Sequence, residues 1–544
     1  MAKATLYTPQ RIQEYTKKGY WDSTTLSDLW DDNARKYPAR EALVDSNTRL
    51  TWAQAKVRID RLALGLVELG IKKDELIVIQ TPNMVELVLM RVACEKAGVL
   101  CLPVLRSLRN VEVENILSRT KAVGIMIPYK FRDYDYYQMV KEVRPRLPAL
   151  RHVFVVGAEV PPDCISVSKM MERKLEEEYP ADFLKSRKTP STEFSLIAHT
   201  TGSTGFPKFV EYPMCCRIFQ ARRNAAHLKL TKDDVFAMLP PASIGPNSNA
   251  YFAAALVGAK VTMLEKFEPE AALELIQRER VTFVCGVPAI LAMIVRHPNR
   301  KKYDTSSVRY WWSGGAKLDY QVGLDVEKEM GGVIIGGLGA TDWGGECINI
   351  GDSSMEIRLT TVGHPIDDSE IKLVDEDGKE VPRGEVGEIL ARGPACVSGY
   401  FGDAEANKQM WTEDGWYKLG DLGRWDKLGN LVVVGRKKDM IIRGGQNIYP
   451  IEIENLLLTN PKVQDVALVG YPDEVMGEKA CAFVVPRESM EFTFKEMTDF
   501  LKSRNIALYK LPERLEIMDK FPLVGDQKID KKALRAELLK RLGK

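Results

Sequence analysis

The sequence predicts an α/β protein of at least two domains, one of them large, and three observations carry that expectation. Apolar β-branched runs alternate with helical periodicity from residue 52 to beyond residue 330, the pattern of βαβ units and mainly parallel sheet. At 544 residues the chain is too long for one core. After about Ile371 the pattern changes to short strands with turn signals between them, which fits a small β-rich subdomain.

Taken in order, residues 52–69 place apolar side chains at helical spacing, Gly70 ends the helix, and Leu76-Ile77-Val78-Ile79 reads as a short strand. A second helix over 84–97 ends at Gly98 and leads into Val99-Leu100-Cys101-Leu102-Pro103. Residues 145–190 carry many charges and little pattern. Phe194-Ser195-Leu196-Ile197-Ala198 has the length and composition of a buried strand. The alternation then returns with a helix from Tyr251, a strand over 260–264, a helix over 269–279, and strands over 281–285 and 332–335. Further on, Asp375-Glu376-Asp377-Gly378 and Asp426-Lys427-Leu428-Gly429-Asn430 are turn signals. Gly435-Arg436-Lys437-Lys438-Asp439 is a polar junction between apolar strands.

Lys+Arg 77 against Asp+Glu 75 leaves a formal charge of +2, so no broad electrostatic surface for nucleic acid is expected. A local basic site for a polyanionic cofactor is compatible with that balance. The nine cysteines show no Cys-x-x-Cys spacing, which reads as reduced thiols of a cytoplasmic protein, and five scattered histidines offer no metal cluster. The N-terminus lacks a signal-peptide core, and no apolar run is long enough to span a bilayer.

The most informative stretch is His199-Thr200-Thr201-Gly202-Ser203-Thr204-Gly205-Phe206-Pro207-Lys208. Glycines let a backbone approach an anion closely, hydroxyls and free N–H groups donate to its oxygens, and one ammonium neutralises charge. Its place between apolar segments, and its ending in Pro207-Lys208, weigh against a flexible linker. It is not a Gly-x-x-x-x-Gly-Lys-Ser/Thr loop, because Phe209 follows the lysine. Nor is it a serine-hydrolase elbow, because Thr201 stands where the first glycine is required.

The run from Thr200 to Lys208 resembles the phosphate loop of the acyl- and aryl-adenylate-forming (AMP-binding) superfamily, which includes acyl-CoA synthetases, aryl-acid adenylating enzymes, peptide-synthetase adenylation domains and luciferases. The similarity covers nearly the whole chain, and residues 7–30, with Gly19-Tyr20-Trp21, are similar to the lead-in of the aryl-acid members. The resemblance implies a large N-terminal domain over 1–435, a hinge over 436–439 pivoting at Lys438, and a small mobile α+β domain over 440–544. It also implies a phosphate-binding role for Thr200, Thr201, Gly202, Ser203, Thr204, Gly205 and Lys208. Where the family usually has glycine after the lysine, this chain has Phe209.

Gly336-Gly337-Leu338-Gly339-Ala340-Thr341-Asp342 is similar to the family segment ending in Gly-x-Thr-Glu. The resemblance implies Thr341 at the α-phosphate, Asp342 holding magnesium in place of the usual glutamate, and Gly337, Leu338 and Gly339 at the adenine; alone, the segment would also read as a Gly-rich turn. Gly314, Gly315 and Ala316 resemble the adenine-edge turn, Asp421 in Tyr417-Lys418-Leu419-Gly420-Asp421 the ribose-binding aspartate, and Arg436 a second ribose contact. Lys528 falls on the adenylation lysine, with Gln527 replacing a glycine before it. Lys208, Thr341 and Lys528 form the implied catalytic set. Gly444 and Gly445 resemble the segment lining the pantetheine path, and the same residues read equally as a hairpin turn.

Activation of a carboxylic acid through attack on ATP needs no general base, because the carboxylate is already a nucleophile; the protein positions two anions and neutralises charge. The expectation is an AMP-forming acid:CoA ligase using ATP, Mg2+ and coenzyme A. Ser243, Ile244 and Asn247, with Gly315 and Gly339, are the candidate acid-binding residues. Ser243-Ile244 stand where aryl-acid members have His-Asn, which disfavours a catechol-type acid and favours a compact apolar one, aromatic or alicyclic. Two rivals stay open: an adenylating enzyme that loads a separate carrier protein, and a nucleotide-binding regulator without turnover, motivated by Phe209, Asp342 and Gln527. The expected partners are small molecules, as a monomer or homodimer.

Overall fold

In a computed structural model the β-branched runs assemble into two large, mainly parallel sheets. The structure describes residues 3–200, 207–243, 245–344, 346–349, 351, 353–504, 506–524 and 528–543. A seven-stranded sheet runs in the order Phe209–Pro213, Phe194–His199, Leu100–Pro103, Leu76–Ile79, Gly124–Pro128, His152–Val156, Ile165–Ser166. All neighbours in it are parallel except the first pair. A nine-stranded sheet runs His364–Pro365, Glu346–Ile348, Val333–Gly339, Tyr310–Ser313, Phe283–Gly286, Val235–Met238, Lys260–Met263, Glu41–Val44, Arg49–Thr51. From Val333–Gly339 to Glu41–Val44 its pairings are all parallel.

One apolar core joins the sheets, taking Ile77, Ile79 and Cys101 from the first and Phe236, Met238 and Val261 from the second. The helix Val85–Ala97 lies within it, and its apolar sequence allows burial on every side. Two of its buried ions answer each other: Arg91 Nη2 is 3.2 Å from Glu95 Oε2, both side chains are fully buried, and Ser195 Oγ bonds both. Gly98 ends this helix at φ +72, where a Cβ would stand 2.4 Å from the Arg187 carbonyl oxygen. Both handedness and space require glycine there.

The β-rich region after Ile371 is a four-stranded antiparallel sheet, Glu370–Val374, Gly387–Arg392, Tyr417–Trp425, Leu431–Arg436. A single turn, Lys437–Asp439, leads from it to a smaller C-terminal domain. There the strands Gln446–Ile448, Ile441–Arg443, Gly477–Pro486 and Val463–Asp473 pair antiparallel, and Arg514–Ile517 adds parallel to Gly477–Pro486. The helices Pro450–Leu458, Phe494–Ser503 and Lys531–Arg541 belong to the same domain. All nine cysteines are free. Among the described residues, no helix is long and apolar enough to cross a membrane.

Two expectations need correction. The helix expected from Tyr251 starts at Gly245, because Pro246 falls in its first turn, where a missing N–H costs nothing. The strand expected to end at Ile335 continues to Gly339, so Gly336 to Gly339 is extended strand rather than a glycine turn. The cause is Glu346–Ile348, which folds back antiparallel onto it; Gly337 admits this approach, since a Cβ there would stand 2.8 Å from the Cys347 carbonyl oxygen.

Glu279 supplies a pH test of this architecture. Its carboxylate ends the helix Pro269–Glu279 and binds Arg49 at 2.8 Å and Lys260 at 2.9 Å, tying helix and sheet edge together. Burial pushes the carboxyl up, but the hydrogen bonds from Arg49, Lys260 and Arg278 outweigh it and hold it at about 2 against the ordinary 4.5. A depressed acid contributes stability above its unfolded pKa and loses it as pH falls through the folded value. The stability gap between wild type and Glu279→Gln in urea denaturation is therefore expected to narrow as pH falls from 4.5 toward 2; a constant gap contradicts the assignment.

Candidate active site

The loop's two ends are clasped before any ligand is considered. Phe194–His199 and Phe209–Pro213 pair antiparallel; Thr200 N–H donates to the Lys208 carbonyl at 3.0 Å, and Lys208 N–H donates to Thr200 Oγ1 at 3.2 Å. Thr201, Gly202, Ser203, Thr204 and Gly205 lie outside the described residues. His199 is buried, and burial pushes its imidazole pKa down. The unexpected Phe209 has a packing reason. Only 2 % exposed, it fills the core beneath the loop, and Arg119 lies 4.9 Å over its ring while donating to the Pro207 carbonyl at 2.9 Å.

A segment from far along the chain completes the arrangement. Phe401 N–H donates to the Phe209 carbonyl at 2.7 Å and Glu211 N–H to the Gly399 carbonyl at 2.9 Å, so residues 399–401 run beside the loop's exit strand. Val397 N–H then reaches the Trp343 carbonyl at 2.8 Å, which brings up the turn carrying Thr341 and Asp342. Tyr400 stands at the junction, fully buried. Its hydroxyl donates to Asp342 Oδ2 at 2.8 Å, and Lys208 Nζ lies 4.8 Å from the centre of its ring. Asn407 fixes its main chain at 2.7 and 3.1 Å. Burial, and then the Asp342 charge, push the Tyr400 phenol far above its ordinary pKa, so it stays a donor. Tyr212 donates its hydroxyl to the Thr341 carbonyl. Lys208, Thr341 and Asp342 are thus brought together, through two tyrosines that the sequence did not single out. No local signal marks either one, since each acts through a partner distant in sequence.

The other candidates sit at neighbouring strand ends. Gly314, Gly315 and Ala316 follow the strand Tyr310–Ser313, whose Ser313 is in register with Gly336, so they lie beside the segment of Gly337, Leu338 and Gly339. Gly315 has φ +83 and open space where a Cβ would be. These are the carboxyl ends of parallel strands, where open α/β sheets bind ligands. Asp421 and Arg436 are cross-strand partners joined at 2.7 Å. Lys438 follows in the connecting turn, and burial pushes its ammonium pKa down, opposed by Asp439.

The segment before the acid candidates is held by Asn83, which accepts from Ala242 N–H at 2.7 Å and donates to the Pro240 carbonyl at 2.9 Å. Ser243 is half-buried, Ile244 lies outside the described residues, and Asn247 falls in the helix Gly245–Val257. Gly444 and Gly445, at φ +55 and +76, form the two-residue turn between Ile441–Arg443 and Gln446–Ile448, as the hairpin reading expected. Lys528 opens the strand Lys528–Ile529, paired with Leu523–Val524, while Gln527 lies outside the described residues. These last candidates are carried by two different sheets of the C-terminal domain.

With this geometry in hand, comparison with known proteins gives a consistent result. Residues 30–401 match the family model described as AMP-binding enzyme, and residues 452–528 match AMP-binding enzyme C-terminal domain. The chain is 32% identical to a 2-hydroxy-7-methoxy-5-methyl-1-naphthoate–CoA ligase of Streptomyces carzinostaticus, over 96% of this chain and 94% of that one. It is 31% identical to the 2,3-dihydroxybenzoate-AMP ligase of Bacillus subtilis (strain 168), over 98% and 97%. In fold it matches the anthranilate CoA ligase AuaEII in complex with anthranoyl-AMP with a TM-score of 0.86 at 22% identity, covering 96% of this chain and 98% of that one.

The Tyr400 junction is testable without any substrate. Tyr400→Phe keeps the ring under Lys208 and removes the donor to Asp342; the expected loss in chemical denaturation is about 1–2 kcal/mol, the scale of one hydrogen bond to a partly exposed charge. Tyr400→Leu, which also gives up the ring, is expected to lose more. Equal stability of wild type and Tyr400→Phe would show that the bond holds nothing.

Proposed function

Because the chain belongs to the AMP-binding enzyme family, we propose that it is an AMP-forming carboxylic acid:CoA ligase, which activates a compact apolar acid with ATP and passes the acyl group to the thiol of coenzyme A. The observation that carries the reading is the line from Lys208 across Tyr400 to Asp342, a cation and a carboxylate positioned on one buried phenol beside the loop. That intact line weighs against a regulator without turnover.

In the first half-reaction a carboxylate oxygen of the acid attacks the α-phosphorus of ATP; the O–P bond forms, the bond to the bridging oxygen breaks, and pyrophosphate leaves. Lys208, Thr200 and the hydroxyl and glycine residues 201–205 hold the triphosphate, and Thr341 meets the α-phosphate. Gly314, Gly315, Ala316, Gly337, Leu338 and Gly339 contact the adenine, and Asp421 and Arg436 the ribose. Asp342 fits Mg2+: a hard cation arriving with nucleotide phosphates needs only one or two carboxylates, and the Tyr400 hydroxyl orients this one. When bound, Mg2+ neutralises charge on the phosphates. Ser243, Ile244 and Asn247 bound the acid, with Gly315 and Gly339.

In the second half-reaction the CoA sulfur attacks the acyl carbon and AMP departs. The division at 435 and 440 then acquires a purpose: rotation about Lys438 withdraws Lys528 from the acyl-phosphate bond and brings Gly444 and Gly445 to the thiol's path. Open space over Gly445 supports a thin chain passing there. The rival acceptor is a carrier protein's thiol, which the relationship to a salicyl-AMP ligase / salicyl-S-ArCP synthetase of Mycobacterium tuberculosis favours. Pyrophosphate release from an acid panel, with CoA present and absent and thioester measured, separates the two. Nine free cysteines fit a reducing cytoplasm.

The half-reactions give complementary variants. Lys528→Ala is expected to lose pyrophosphate exchange at least a hundredfold yet convert a supplied acyl-adenylate to thioester, whereas Gly445→Leu makes adenylate and fails to transfer it, as expected for a single transition-state contact of about 2.7 kcal/mol or more. Equal loss of both halves in both variants, with circular dichroism unchanged, contradicts the two-state assignment. In a competition assay, small cyclic or aromatic acids are expected to outrun long-chain fatty acids, because a pocket filled by a compact ring leaves little room beyond it; preference for long chains refutes that.

A further inference from the structure

The helix Met214–His227 carries three arginines, and two are ion-paired: Arg222 with Asp22 at 2.7 Å and Arg223 with Asp368 at 2.5 Å. Arg217 differs. It is 4 % exposed, and no carboxylate among the described residues answers it. Its Nη1 donates to Gln220 Oε1 at 2.6 Å, its guanidinium carbon lies 4.9 Å from the ring centre of Tyr212 and 5.4 Å from that of Phe252, and its Nε has no hydrogen-bond partner among the described residues. A guanidinium keeps its proton at any physiological pH, and a buried charge without a counter-ion is strongly unfavourable. Two rings and an amide oxygen offset part of that cost but supply no negative charge.

Its location says where the missing anion comes from. Tyr212 donates to the carbonyl of Thr341, the residue proposed to meet the α-phosphate that the acid attacks, and Phe252 lies on the helix Gly245–Val257, which carries the acid candidate Asn247. The guanidinium is therefore bracketed by the two elements between which the acid would lie. Nη1 is engaged by Gln220, and Nε is the buried donor left without a partner among the described residues, the kind of N–H that a carboxylate bound side-on to a guanidinium satisfies.

We propose that Arg217, held by Gln220, forms a subsite for a second anionic group of the acid, at the end remote from the carboxyl that is activated. The substrate class is a compact cyclic acid with an apolar body and a distal carboxylate. This rests on the acid-activation reading above and sharpens it, since the compact apolar body is kept and only its far end changes.

The experiment compares matched acids by initial rates of pyrophosphate release: terephthalate with 4-methylbenzoate, and trans-cyclohexane-1,4-dicarboxylate with trans-4-methylcyclohexanecarboxylate. Wild type is expected to favour each diacid in kcat/KM. In Arg217→Met that preference falls by roughly 10- to 100-fold, the range for one hydrogen-bonded charge, while Arg217→Lys, which keeps the charge without the fork, retains part of it. A wild-type preference for the methyl acids, or the same ranking in wild type and Arg217→Met, overturns the subsite. Should Arg217→Met not fold, Gln220→Leu is read instead: a raised KM for the diacids alone supports the proposal, and an unchanged diacid-to-methyl ratio overturns it. Release of pyrophosphate from none of the four acids, nor from any acid of the wider panel, overturns the ligase reading itself and the subsite with it.

Discussion

The main-chain hydrogen bonds that lay residues 397–401 along the loop's exit strand and against Trp343 are the constraint on which the site depends. They bring three stretches of chain, otherwise remote from one another, within the reach of one side chain, Tyr400. Backbone bonds suit this task because each buried N–H and C=O must find a partner, so the register of the three stretches is held by a penalty for leaving it. Lys208 and Asp342 then inherit their separation from the scaffold rather than from their own flexible side chains. Such preorganisation allows charge to be met without reorganisation at the moment of reaction.

The departures from the family pattern become intelligible against that scaffold. Phe209 occupies a position whose side chain must fill the core under the loop, and Arg119 uses its ring face. Asp342 is one methylene shorter than the glutamate it replaces, and the Tyr400 hydroxyl at 2.8 Å fixes where that shorter carboxylate points. Leu338 lies in an extended strand, where an apolar side chain packs without a turn to accommodate.

Elsewhere several of the protein's buried charges are paired with an opposite one. Arg91 answers Glu95 within one helix, Arg358 meets Glu327 at 2.7 Å with both side chains 6% exposed, and Glu279 gathers Arg49 and Lys260. Burial with a partner is tolerable, whereas burial without one leaves the full desolvation cost standing. Arg217 stands out against that pattern, and a position between Tyr212 and Phe252 gives its charge a use in choosing the acid.

Much of the fold was legible from the sequence because it is written in local period and composition. Alternating β-branched runs and helices implied parallel sheet, Gly70 and Gly98 marked helix ends, and the turn signals after Ile371 marked the antiparallel sheet. Of the site, the glycine- and hydroxyl-rich chemistry of the Thr200–Lys208 loop stood in the residues themselves, whereas Thr341-Asp342 and the Asp421 and Arg436 pair were picked out only by their resemblance to the family's segments. The strand was expected to end at Ile335, and its continuation through Gly339 went unread because it depends on Glu346–Ile348 pairing back onto it. Tyr400, Tyr212 and Arg217 carried no signal at all: a tyrosine or an arginine acquires its meaning from the charges and rings placed against it, and those come from distant segments. The sequence by itself determined which elements form and which chemistries the chain carries, since both follow from side-chain type and spacing. Tertiary structure alone decided which of those groups meet, because strand pairing between remote segments leaves no period in either partner.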